Sequence, residues 1–135
     1  MVDASCANTY NDREEAIYSP NYPSLYGHNK QCTWKISAPE GRQLKLSAFE
    51  YKIEAHERCS YDYLNIYDGP NYRSNRIDQF CGSSQTHGII ESTENMLFLK
   101  FKSDGGTAST GFKIKFSLKG KVSYTSKSNY YKLEI

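Results

Sequence analysis

A chain of 135 residues, 38% hydrophobic and 24% charged, suffices for one ordinary domain and is too apolar and too weakly charged for disorder. Its net charge of +2 gathers at the C-terminal end, where Lys119, Lys121, Lys127 and Lys132 stand against Glu134, which leaves the rest slightly negative and argues against a nucleic-acid-binding face. No apolar run is long enough to cross a bilayer as a helix, so no membrane insertion is expected.

Strand patterns dominate, and 14% aromatic residues, 12 of them Tyr, suit half-buried pleated surfaces. After the turn signal Ser19-Pro20-Asn21-Tyr22-Pro23, residues 33–37 alternate with Trp34 and Ile36 on one face. Pro39-Glu40-Gly41 breaks the chain before a second alternating run, 43–47, with Leu44 and Leu46 inward. Residues 62–68 place Leu64 and Ile66 on one face and Tyr63 and Tyr67 on the other, and Asp68-Gly69-Pro70 ends the run. Leu97, Leu99 and Phe101 form the inward set of 96–102, followed by the turn Asp104-Gly105-Gly106. Residues 111–118 are the clearest strand, with Phe112, Ile114, Phe116 and Leu118 inward. Many short strands separated by turns predict an all-β sandwich of two antiparallel sheets. The domain is expected over residues 1–118, with 119–135 a linker or an added edge strand.

Cys6, Cys32, Cys59 and Cys81 contain no C-x-x-C pair, and His28, His56 and His87 supply no zinc-ligand spacing; the histidines read as solvated loop residues. An even number of widely spaced cysteines in a short chain points to two disulfides and an oxidising compartment. Arithmetic alone leaves three pairings open. No Gly-x-Ser-x-Gly elbow, phosphate loop or His-Glu-x-x-His is present, so an enzyme is not expected.

The turn at 19–23, then Tyr26 and Cys32-Thr33-Trp34-Lys35-Ile36, resembles the opening of a CUB domain. The resemblance continues through Cys59-Ser60-Tyr61-Asp62-Tyr63-Leu64-Asn65-Ile66-Tyr67-Asp68-Gly69, Phe80-Cys81-Gly82, Phe101-Lys102-Ser103-Asp104 and Gly111-Phe112-Lys113-Ile114. It departs at the start, where Cys6-Ala7-Asn8 stands in place of the common Cys-Gly-Gly. The resemblance implies a CUB-type jelly-roll sandwich, the sequential disulfides Cys6–Cys32 and Cys59–Cys81, and an extracellular setting, secreted or in an ectodomain.

It also implies a calcium site. Many CUB domains resemble one another in a Glu five residues before the third Cys, an Asp three after it, and an Asp closing a Phe-x-Ser-Asp turn; Glu54, Asp62 and Asp104 occupy those positions, and Tyr26 matches the Tyr beside the site. Hard Ca2+ prefers six to eight oxygen ligands, and Gly105 and Gly106 are expected to let carbonyls turn toward it. Tyr22, Tyr26, Tyr61 and Tyr63 are candidates for the rim of a binding face. The implied function is a calcium-dependent module binding an extracellular protein through an exposed Lys or Arg. The alternatives are a spermadhesin-like lectin that binds carbohydrate without calcium, and a non-catalytic module of a larger extracellular protease.

Overall fold

The computed structural model describes residues 6, 10–11, 16–84, 88–119 and 132–134, and among them every regular element is a β-strand. One sheet runs β1 (Tyr10–Asn11), β2 (Ala16–Tyr18), β10 (Gly111–Leu118), β4 (Leu44–Ile53) and β7 (Gly82–Ser84), with β8 (Ile90–Glu91) also pairing β4. The other runs β11 (Lys132–Glu134), β3 (Gln31–Ser37), β9 (Met96–Lys102), β5 (Tyr63–Asp68) and β6 (Asn75–Phe80). All pairings are antiparallel. Within the C-terminal extension, Lys132–Glu134 adds an edge strand to β3.

Each sheet buries one face, as period-2 patterning requires. The eleven side chains expected in the core (Trp34, Leu44, Leu46, Leu64, Ile66, Leu97, Leu99, Phe101, Phe112, Ile114 and Phe116) are all buried, joined by Ile17, Tyr26, Phe49 and Ile53. Strand β4 extends to Ile53, well beyond the alternating run at 43–47. The inward phase slips from Leu44 and Leu46 to Phe49 and Ile53, because the β4–β10 register shifts between the Ser47–Lys115 and Glu50–Lys113 pairs. This bulge inserts an extra residue, so the alternation ends although the strand does not.

Gly111 sets where β10 begins. Its φ is +90°, and a Cβ there would lie 1.7 Å from Ser19 Oγ, the atom that accepts the Phe112 N–H at 2.9 Å. Only glycine fits a left-handed backbone this close to a buried hydroxyl. The contact fastens the 19–23 turn to the start of β10, which pairs beside the Lys52–Ile53 end of β4 and so lies near Glu54.

Candidate metal centre

The end of β4, the start of β5 and the turn after β9 meet at one pole. They bring Glu54, Asp62 and Asp104 together, with one carboxylate oxygen from each within 4.8 Å of the others. Asp62 is fully buried, while Glu54 and Asp104 are half-buried. Backbone and hydroxyl donors fix Asp62: Asp104 N–H donates to Oδ1 at 2.8 Å, and the Tyr26 hydroxyl donates to Oδ2. The same hydroxyl accepts the Glu54 N–H at 3.1 Å, so Tyr26 links the two acid-bearing segments. Gly106 N–H donates to Asp104 Oδ1 at 3.0 Å, and Asn29 N–H to the Asp104 carbonyl at 2.9 Å.

The electrostatics are those of negative charge without its counterpart. Desolvation, then repulsion from Asp62 and Asp104, raises the Glu54 pKa above the usual carboxylate range. Desolvation also raises Asp62, opposed by the donors from Tyr26 and Asp104. Burial, followed by the bond to Asp62, raises the Tyr26 phenol. Glu54 Oε1 is buried without a hydrogen-bond partner, and no basic side chain pairs with the three acids among the described residues. Oxygens sharing one Ca2+ at about 2.3–2.6 Å can lie no more than about 5 Å apart, so the donor set fits a hard cation.

A family model described as the CUB domain matches residues 6–116. The chain belongs to the CUB domain family. Tolloid-like protein 2 of Mus musculus is 37% identical over 110 residues, covering 82% of this chain and 11% of that protein. Bone morphogenetic protein 1 of Xenopus laevis is 40% identical over 116 residues, 86% of this chain and 16% of that protein. Cubilin of Rattus norvegicus is 35% identical over 111 residues, 82% of this chain and 3% of that protein. The chain thus spans only a small part of these relatives. Among solved structures, the MASP-1 CUB2 domain bound to Ca2+ superposes with a TM-score of 0.65 at 28% identity, over 75% of this chain and 88% of that one. The CUB1-EGF-CUB2 domain of human MASP-1/3 gives 0.68 at 27% identity, over 76% and 40%. An extracellular setting follows from the family and from the two disulfides, Cys6–Cys32 and Cys59–Cys81.

Within this CUB domain, two expectations need revision. Tyr26 is no rim residue: it is fully buried, its ring edge-on to Phe101 at 4.9 Å, because its hydroxyl is needed beneath the acids. Gly105 and Gly106 follow Asp104 directly, and a Cβ on Gly106 would lie 3.3 Å from Asp104 Oδ1. His56 is an organiser of its loop and not a merely solvated side chain. Its Nδ1 accepts the Arg58 and Ser60 N–H groups at 3.2 and 3.3 Å, and its ring lies 4.3 Å from that of Tyr61. Tyr61, next to Asp62 in sequence, is exposed, Tyr63 lies half-buried on the outer face of its sheet, Tyr22 donates to Glu50, and His87 lies outside the described residues.

Tyr26→Phe should isolate the hydroxyl while keeping the ring. Asp62 Oδ2 and Glu54 N–H would each lose a partner, with an expected loss of about 1–3 kcal/mol in denaturant unfolding. An unchanged midpoint would show that the hydroxyl does not link the segments.

Proposed function

We propose that this CUB domain is a calcium-dependent protein-interaction module: Glu54, Asp62 and Asp104 hold one Ca2+, and the acidic loops capture a Lys or Arg side chain of a protein partner. The observation that carries the reading is the convergence of three carboxylates without a cationic partner among the described residues. The Ca2+-bound MASP-1 CUB2 domain supports it as a relative of the same fold. Bound calcium supplies the positive charge that offsets the acids' repulsion. Glu54 and Asp104, each partly exposed, then keep carboxylate oxygens available for a charge-assisted hydrogen bond from the partner. Loops already ordered before docking lose less entropy when the partner arrives. Exposed Tyr61 offers an aromatic surface for the stem of that side chain, a role fully buried Tyr26 cannot take. A single ionic contact of this kind is weak and salt-sensitive, and it gains strength through repeated modules. Binding, not catalysis, is the activity proposed.

Melting curves in calcium and in EDTA test the ion. A ligand at a hundred times its Kd stabilises the folded state by about 2.7 kcal/mol, so the midpoint should rise with calcium, and Asp104→Ala should abolish the rise. Calcium affinity should also fall on acidification, and at a higher pH than for unshifted carboxylates, because the raised pKa values of Glu54 and Asp62 let protons compete sooner. Identical curves in calcium and EDTA would remove the ion from the site. A calcium-dependent midpoint with a partner that binds equally to Glu54→Ala in EDTA would keep the ion, remove the capture mechanism and favour the calcium-independent carbohydrate reading.

A further inference from the structure

The outward face of the β11-β3-β9-β5-β6 sheet collects cations and aromatic rings that the acidic pole does not use. Register places Lys35, Phe98, Tyr67 and Arg76 in one row crossing β3, β9, β5 and β6, and Lys100 and Lys102 follow on β9 in the next two rows. The row therefore reads cation, ring, ring, cation across three strand gaps, about 14 Å in all. The Tyr67 and Phe98 rings lie 6.1 Å apart. Within β3, β9, β5 and β6 the outward rows carry no carboxylate, and β11 continues the sheet with Glu134 in register with Lys35 and Lys132 with Ser37. None of the four cations has an ion-pair or hydrogen-bond partner among the described residues. Asn65, beside Lys100, is 6% exposed; it donates to the Tyr67 hydroxyl at 3.0 Å and leaves its own Oδ1 without a partner. An orphaned buried acceptor costs stability and is uncommon unless something else completes it.

We propose that this sheet face is a second binding surface, distinct from the acidic pole, that takes a sulfated linear polysaccharide laid along the Lys35–Phe98–Tyr67–Arg76 row. The cations set the sign of the ligand, and the forked Arg76 guanidinium suits an oxyanion bound through two oxygens. The two rings decide between polyanions. Placed between the cations, they offer flat apolar surface to the C–H faces of sugar rings, where an extended acidic peptide would offer polar backbone. A docked protein would bury a broader apolar centre than two half-buried rings on a flat sheet supply. The extracellular setting puts sulfated polysaccharides within reach.

Retention on immobilised heparin tests the surface, with EDTA present so that calcium-dependent capture cannot contribute. Wild type should bind at low ionic strength and be released by salt. The double variant Arg76→Glu and Lys100→Glu should lose at least about tenfold in affinity. A control with the same charge change on the outer face of the other sheet, Lys52→Glu and Lys115→Glu, should lose less than about threefold, since only position separates the pairs. Phe98→Ala, checked by its melting curve to be folded, should weaken heparin binding severalfold while leaving salt sensitivity unchanged. Equal losses in the two double variants would reduce the effect to net charge and overturn the surface. Poly-glutamate binding as tight as heparin, or an unaffected Phe98→Ala, would overturn the polysaccharide.

Discussion

Phe112→Ala is expected to lower the unfolding free energy by about 3–5 kcal/mol, the usual cost of removing a large aromatic side chain from a core. Phe112 is fully buried on β10 and meets Trp34 edge-on at 5.7 Å and Phe101 at 5.3 Å. Trp34 and Phe101 belong to the facing sheet, so Phe112 is a central contact between the two layers. Pairs in this geometry contribute beyond area burial, by about 0.5–1.5 kcal/mol each. Collapse around the cavity is restricted, because Gly111 is pressed against Ser19 and cannot shift inward. The damage should also reach the acids, since Phe101 packs against Tyr26, whose hydroxyl holds Asp62. Denaturant unfolding and a calcium titration of the same variant measure both effects. A loss under about 1 kcal/mol would mean that Phe112 does not join the sheets.

The physical basis of that core is written in the alternation of β3, β5, β9 and β10, where one face meets water and the other does not. Where alternation fails, so does the reading. The second half of β4 is hidden by its bulge. Strand β6 is hidden because it is an edge with little to bury: Asn75, Arg76 and Ile77 are exposed, and its pairing with β5 shifts register beside Ile77. Glu54, Asp62 and Asp104 were legible only through their positions relative to Cys59 and the Phe-x-Ser-Asp turn, because nothing local to three acids far apart in sequence reveals that they meet. Tyr26 is the converse case. Its neighbours on both sides are polar or exposed, and only the meeting of Asp62 with the Glu54 backbone explains why a tyrosine is fully buried there. The cationic sheet face was invisible to net charge, since a near-neutral balance does not reveal that basic side chains share one face.

The double variant Cys59→Ala and Cys81→Ala should lose about 3 kcal/mol of stability and, even while folded, most of its response to calcium. The bond joins residues 22 apart, and closing a loop of that length restricts the unfolded chain by roughly that amount. It also ties the end of β6 to the segment between Glu54 and Asp62, where Cys59 holds a φ of +51° and its N–H donates to the His56 carbonyl at 3.0 Å. Without the tether, the acids would have to order that segment against their own repulsion before an ion could bind. Cys6–Cys32 provides the comparison. It spans 26 residues, so its removal should cost a similar 3 kcal/mol, yet neither half lies between Glu54 and Asp62. Its loss should leave the calcium-dependent rise in melting temperature nearly intact. Thermal melts of both variants, each with calcium and with EDTA, separate general stabilisation from site organisation. Equal retention of the calcium response in the two variants would show that the acids and their hydrogen bonds hold the loop unaided, and the Cys59–Cys81 bond would then serve stability alone.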